Sequence, residues 1–333
     1  MSVVAPPPPV DRPSRRRRTG ARLLHLLAWA GVLGLTGMAV LRLFGVDGSA
    51  LTAGLLSLTP YAAAAGPVVL VVAALARARV AVAVTVALIA LNVVWLVPRY
   101  TAEHLPAATA PRLRVMSANL YFGDADPGSV VAAVRAQRPD VVTLIEVDRA
   151  GLAALDRAGL AGLLPHRIVR FAPGAGGTAI LSRLGLRDLG EAGPTAYRSP
   201  RALVFVGDRV VAVQAVHTRP PIPGPTGQWR RDLALLAGPP AESERVPLVM
   251  LGDFNASADH PAFRRLLASG LRDAHDARGR GLVRTWPASG GRVPPLVQLD
   301  HVLVSGELGV ATAGELNLPG TDHRAVYAEL AFL

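Results

Sequence analysis

The sequence predicts three membrane-spanning helices followed by a globular α/β domain built on two packed sheets. Three observations carry this expectation. The 333 residues are 51% hydrophobic with a mean hydropathy of +0.35, too apolar for a chain lying wholly in water. Three long runs near the N-terminus, residues 23–41, 48–76 and 80–98, contain no Asp, Glu or Arg. From about residue 112 the pattern changes to apolar runs of strand length, separated by amphipathic stretches and Gly/Pro loops.

Residues 1–22 combine a Pro run at 6–9 with four consecutive Arg at 15–18, a composition that cannot bury apolar surface and predicts a disordered tail. Residues 23–98 hold the three runs, each near or above the roughly 20 apolar residues that cross a hydrocarbon layer of about 30 Å. A cleavable leader is disfavoured for the first run, because leader cores are usually about 7–15 residues and are not followed by two further spans. Pro60 and Pro67 fall inside the second run, where they kink or trim a helix. Arg12, the Arg at 15–18 and Arg22 precede the first run, and Arg77 and Arg79 separate the second from the third. The excess of Arg on that side predicts a cytoplasmic N-terminus, and three crossings then put everything after residue 98 outside the cytoplasm. No charged residue lies mid-span, so anchoring is expected and not transport.

The net charge of +11 invites a nucleic-acid partner, but 10 Arg face 3 acids in residues 1–111 while 25 Arg face 21 acids in residues 112–333. The domain after the membrane segment is only mildly basic, and all 35 basic residues are Arg, which points to a compositional bias of the chain. With 5% aromatic residues the chain is poor in the side chains that a stacking groove needs, and nucleic acid is not the expected partner. The absence of cysteine excludes disulfides, zinc–thiolate sites and a thiol nucleophile, so any metal must be held by oxygen or imidazole.

After a linker at 99–111, strands are expected at 113–120, 141–147, 178–182, 203–206, 210–216, 247–251, 299–304 and 325–332, with a Gly207-Asp208 hairpin turn. Helices are expected at 128–137, 228–236 and 261–268. Polar residues recur at the strand ends: Asn119, Glu146, His217, Asp253 with Asn255, Asp300, and Asp322 with His323. Each alone has a plain structural explanation, such as a turn cap at Asp253, a solvated strand end at Glu146 or a packing role for His217. His166, His260 and His275 have no motif around them and are expected to be surface or capping residues, and Arg230-Arg231 to be a solvated helix face.

Taken together, Val-Met-Ser-Ala-Asn-Leu (115–120), Asp-Val-Val-Thr-Leu-Ile-Glu (140–146), Gly-Thr-Ala-Ile-Leu-Ser-Arg (177–183), Val216-His217, Gly-Asp-Phe-Asn (252–255), Leu299-Asp300 and Thr-Asp-His (321–323) are far more specific. In this order they resemble the endonuclease/exonuclease/phosphatase family across residues 112–333. The resemblance implies a four-layered α/β-sandwich, DNase I-like, with the site at one end of the two sheets. It implies a divalent metal, Mg²⁺ or alternatively Mn²⁺, held by Glu146 with Asn119 and with Asp322 beside it, a donor set of hard oxygens that suits such a cation. It further implies that His323 pairs with Asp300, that Asp253 orients or deprotonates the attacking water, and that Asn255 and His217 contact the phosphate. The His323–Asp300 pair is also open to the base role. Abasic-site nucleases of the family carry an acidic residue two positions after the first Asn; here that position is Tyr121, which counts against DNA repair.

Three N-terminal spans before such a domain also resemble the teicoplanin-resistance membrane proteins of actinobacteria. That resemblance implies a lipid-linked phosphate or pyrophosphate substrate, such as undecaprenyl pyrophosphate or a related cell-wall carrier. An anchored extracellular nuclease, a phospholipase C- or sphingomyelinase-like phosphodiesterase and a catalytically inactive membrane scaffold are the alternatives.

Overall fold

The computed structural model describes residues 15–221, 226–237, 246–288 and 293–333, with side chains from residue 19 onward. The chain forms two compact units, one from the residues up to Val40 with Tyr61–Val94, the other from Leu41–Pro60 with Trp95–Leu333.

The first unit is made of apolar helices: most of α1 (Arg15–Phe44), then, after α2 (Ala50–Ser57) of the other unit, most of α3 (Thr59–Leu75) and α4 (Arg79–Leu96). Its core is built of Ala28, Val32, Ala73, Ala78 and Ala81, small residues that let helices pack closely. A Cβ at Gly31 would lie 2.7 Å from Val69 Cγ2, so glycine is what permits that approach. Large side chains such as Leu26 and Leu33 are exposed on the outside of this unit. α1 already begins at Arg15, and residues 1–14 of the expected tail lie outside the described residues.

Among the described residues, two helices are long and apolar enough to cross a membrane, Thr19–Phe44 and Arg79–Tyr100. A third span exists if Ala50–Ser57 and Thr59–Leu75 count as one, but that pair is bent by 64°. The second apolar run is therefore not one helix. It breaks at Leu58, while Pro60 sits in the first turn of α3, where its missing N–H costs nothing, and Pro67 is accommodated inside α3.

The second unit continues with β1 (Arg112–Asn119), α5 (Pro127–Gln137), β2 (Val141–Ile145), α6 (Arg149–Arg157), α7 (Leu160–Leu163), β3 (His166–Arg170), β4 (Thr178–Ser182), β5 (Leu186–Glu191) and β6 (Pro200–Val206). There follow β7 (Arg209–His217), α8 (Gly227–Leu236), β8 (Leu248–Asp253), α9 (Pro261–Ala268), β9 (Arg272–Asp273), α10 (Ala274–Ala277), β10 (Asp300–Val304), β11 (Leu308–Asn317) and β12 (Arg324–Phe332). The strands form two six-stranded sheets, ordered β11-β12-β1-β2-β4-β3 and β5-β6-β7-β8-β10-β9. Between them lies one apolar layer, including Val115, Ile180, Val213, Leu251, Val302 and Leu330. α5, α6 and α7 cover the outer face of the first sheet, and α8 and α9 that of the second. This is a four-layered α/β-sandwich, as the sequence predicts.

Side-chain alternation along the strands decides where the polar ends emerge. Leu113 and Val115 of β1 lie in the inter-sheet layer while Met116 and Ala118 pack outward, so Asn119 returns to the inner face. The same period carries Val211, Val213 and Ala215 to His217, Val249 and Leu251 to Asp253, and Val304 and Val302 back to Asp300. β1 runs parallel to β2 and β7 parallel to β8, whereas β10 and β12 are antiparallel to their neighbours β8 and β1. The C-terminal ends of the first four strands and the N-terminal ends of β10 and β12 therefore lie at one end of the sandwich. Gly252 at φ 147° makes this pairing possible, since a Cβ there would sit 2.0 Å from the Val216 carbonyl oxygen.

α2 is fixed into this unit. Ala53 packs in the outer core with Trp229, and its carbonyl oxygen lies 2.9 Å from His260 Nε2. Arg42 donates through Nε to the buried Asp259 at 2.8 Å, and Arg99 Nη1 is 3.6 Å from the other oxygen of that carboxylate. His260 is thus buried and structural, not at the surface, and His275 is also buried, beside Asp273 and Glu315; His166 is exposed. Arg230 lies 3.5 Å from Asp47 of the α1–α2 connection, with its side chain half exposed.

Asp259→Ala leaves the buried Arg42 without its counter-charge and is expected to cost about 3–5 kcal/mol of stability. Thermal unfolding of the purified full chain checks this, and a melting temperature equal to that of the wild type would show that the pair does not fasten this segment.

Candidate active site

Three of the expected residues are neighbours by register alone: His217 pairs with Asp253 across β7 and β8, and Asp253 with Asp300 across β8 and β10. His323, just before β12, reaches across to them. Its Nδ1 is 2.8 Å from Asp300 Oδ2 and its Nε2 3.7 Å from Asp253 Oδ2. His217 Nε2 approaches the same centre, 3.9 Å from Asp253 Oδ2 and 3.8 Å from Glu146 Oε1. Asn119 joins the two sheets' contributions by donating through Nδ2 to Glu146 Oε1 and to Asp253 Oδ2, each at 3.2 Å. Asn119, Glu146, His217, Asp253, Asp300 and His323 therefore converge.

Asp322 and Asn255 flank this group. Asp322 accepts from Trp286 Nε1 at 3.0 Å, while its Oδ1 is buried without a hydrogen bond, 3.9 Å from His323 Nε2. Asn255 donates its backbone N–H to Asp253 Oδ1 and its side-chain amide to the Thr218 carbonyl, both within 2.9 Å. Asp253 is thereby held at Oδ1 by the Asn255 N–H and at Oδ2 by Asn119, with Oδ2 also turned toward the two histidines.

The backbone around the site is strained. Tyr121, Phe122, Glu146 and Asn255 all adopt φ between 46° and 58°, a left-handed conformation that costs non-glycine residues on the order of 1–3 kcal/mol each. Glu146 is kept there by hydrogen bonds from Asn119 and from the Phe122 N–H at 3.1 Å.

Burial and neighbouring charge set the protonation pattern. Burial disfavours a charge on His323, yet the Asp300 and Asp253 carboxylates outweigh it and push the imidazole up to about 10. Burial, reinforced by the His323 charge, drives His217 down to about 3, so it is neutral. Burial also raises Asp253 to about 7 against the pull of His323, and Asp300 and Glu146 add to the rise. Glu146 is raised above the ordinary carboxylate range, chiefly by burial, with the nearby Asp322 charge contributing.

The donor set fits a hard divalent cation. Glu146 and Asp322 supply carboxylate oxygens, one of them buried and without a partner, and a buried anionic oxygen in that state needs a cation or a donor. Asn119 Oδ1 accepts from the Tyr121 N–H at 2.9 Å and keeps a second lone pair free. Asp253, Asp300 and His323 also place ligand atoms within 4.8 Å of one another. The 2.8 Å contact of His323 Nδ1 with Asp300 Oδ2 orients the imidazole, a geometry that also suits acid–base work.

Sequence reasoning did not find Tyr197, whose ring packs on His217 with centroids 4.5 Å apart, or Trp286, which fixes Asp322. Both are single aromatics in loops, and nothing local marks them. The site opens into a cavity of about 620 Å³.

The sequence profile of the Endonuclease/Exonuclease/phosphatase family matches residues 116–323. Among solved structures, the chain is similar to the endonuclease/exonuclease/phosphatase from Beutenbergia cavernae (20% identity, TM-score 0.50, covering 67% of this chain and 72% of that one). It is also similar to D. rerio TDP2 complexed with single-strand DNA product (16%, 0.53, 66% and 98%) and to Caenorhabditis elegans TDP2 (19%, 0.54, 74% and 81%). At these identities the structural likeness speaks to the fold. Comparison with curated protein sequences gave no match.

Proposed function

The chain belongs to the endonuclease/exonuclease/phosphatase family, and from that premise we propose that it is a membrane-anchored, metal-dependent phosphoesterase acting outside the cytoplasm. Its substrate on this reading is a lipid-linked phosphate or pyrophosphate, such as undecaprenyl pyrophosphate or a related cell-wall lipid carrier, with a role of the teicoplanin-resistance type. The observation that carries the chemistry is Asp253, fixed through Oδ1 and presenting Oδ2 between His217, His323 and Asn119.

In this mechanism Asp253 Oδ2 takes a proton from the water that attacks phosphorus in line with the departing group. His323, oriented and kept charged by Asp300, faces the phosphoryl oxygens, where positive charge favours the transition state. His217, neutral and braced by Tyr197, donates a hydrogen bond from the opposite side, and Asn255 fixes Asp253 and contacts the phosphate. Mg²⁺ or Mn²⁺ held by Glu146 and Asp322, with Asn119, would supply charge neutralisation for the phosphate and the leaving oxygen.

The substrate class is tested by metal-dependent phosphate release from a panel of lipid pyrophosphates, lipid monophosphates, phosphodiesters and DNA, using the purified full chain. Release from the lipid pyrophosphates is expected; nicking of plasmid DNA with no release from any lipid would favour the nuclease reading.

Sidedness on this proposal requires α1, α3 and α4 each to cross once, with the Arg-rich α3–α4 turn in the cytoplasm. The chain has no cysteine, so single-cysteine variants report without background. Asp208→Cys, on the exposed β6–β7 turn, is expected to react with an impermeant maleimide in intact cells, and Arg77→Cys only after lysis. The reverse pattern would place the catalytic domain in the cytoplasm.

A further inference from the structure

The catalytic side chains form only one end of the cavity. Much of the rest is apolar, and α2 supplies a wall of it: Ala50, Leu51, Ala53, Gly54, Leu55 and Leu58 all line it. Pro220, Pro221, Trp286 and Leu296 extend the apolar lining. All of these residues belong to the unit made of Leu41–Pro60 and Trp95–Leu333. Leu51 is 71% exposed and Leu58 38%, although α2 itself is fixed through Ala53, Leu56 and the Arg42–Asp259 pair. A rigidly held helix thus presents unpartnered leucines beside a phosphate-handling centre.

We propose that α2 is a specificity element of the active site, receiving the hydrocarbon chain of an amphiphilic phosphate ester whose phosphate sits among Glu146, Asp253 and His323. The proposal rests on the phosphoesterase reading above and names which part of the chain selects the lipid. A sugar or nucleoside phosphate would need donors and acceptors around its organic part, because buried polar groups must be paired. Among its cavity-lining residues α2 offers Ser57 alone as a polar side chain. An alkyl or prenyl chain needs none, and each stretch of apolar surface it covers strengthens binding. α2 also lies in sequence between α1 and α3, separated from the latter by Leu58 only, so the apolar wall and the membrane helices are one stretch of chain.

Gly54 provides the test. A Cβ there meets nothing within 4 Å, so Gly54→Phe places a ring in the cavity without disturbing the backbone, and replacing a mid-helix glycine favours the helix. The full chain in lipid nanodiscs with Mg²⁺ is titrated calorimetrically with decylphosphonate and methylphosphonate, neither of which has an ester bond to hydrolyse; protein-free nanodiscs give the blank. The wild type is expected to bind decylphosphonate at least ~10-fold more tightly than methylphosphonate. Gly54→Phe is expected to lose that preference while binding methylphosphonate as before, and Leu51→Gln to lose part of it. Equal affinity of the wild type for both phosphonates, no binding of decylphosphonate, or a preference that survives Gly54→Phe would overturn the proposal. Because the probes are not turned over, the two readings fail separately: phosphate release from lipid substrates with no chain-length preference in binding would overturn this proposal alone, whereas a preference abolished by Gly54→Phe in a chain that releases no phosphate would overturn the phosphoesterase reading.

Discussion

Asp253→Asn is expected to lower kcat for phosphate release by about 10³-fold, the scale of a lost general base. The substitution is close to isosteric and keeps Oδ1 in place for the Asn255 N–H. What it removes is the anionic oxygen at the meeting point of Asn119, His217 and His323. The fold should survive, since Asp253 is buried and its charge is disfavoured there. An unchanged or raised melting temperature beside a collapsed kcat would separate loss of chemistry from loss of structure; wild-type turnover in the variant would remove Asp253 from the mechanism.

Glu146→Gln should have a comparable effect by a different route. The amide retains the shape and the hydrogen bond from the Phe122 N–H but loses the carboxylate charge that, with Asp322, makes the centre attractive to a cation. The Mg²⁺ concentration for half-maximal activity is expected to rise by roughly 10²-fold or more, as for loss of an important metal partner. At saturating Mg²⁺ part of the rate should return, whereas Asp253→Asn should show no such rescue. A metal titration of activity distinguishes them, and an unshifted midpoint for Glu146→Gln would take Glu146 out of the metal site.

The convergence of the polar strand ends was legible because period-two alternation fixes which residues reach the inner face. Asn119, His217, Asp253 and Asp300 continue the inward rows of β1, β7, β8 and β10, and the sequence shows each at an apolar run's end. The strands that sequence reasoning missed are those where this signal is diluted. β3 (His-Arg-Ile-Val-Arg) and β5 (Leu-Arg-Asp-Leu-Gly-Glu) are edge strands carrying charges, β9 (Arg-Asp) is an edge strand of two charged residues, and β11 is an edge strand interrupted by Gly309 and Gly314. α6 was missed because it is short and amphipathic between two loops. The role of α2 was illegible for a different reason. Ala-Leu-Thr-Ala-Gly-Leu-Leu-Ser is as apolar as a lipid-crossing helix, and hydropathy does not distinguish a wall of a cavity from a membrane span. What fixes α2 in the catalytic unit, the pairing of Arg42 with Asp259 and of Ala53 with His260, spans more than two hundred residues of sequence.

The central claim is that side chains from separate strands of both sheets act as one catalytic centre. Single-turnover phosphate release by Asp253→Asn, His323→Ala and the double variant, with Mg²⁺ saturating, tests it most directly. Residues acting as a unit are non-additive, so the double variant is predicted to be about as slow as the slower single variant. Losses that multiply in the double variant, or single variants that both retain wild-type rates, would contradict a shared centre.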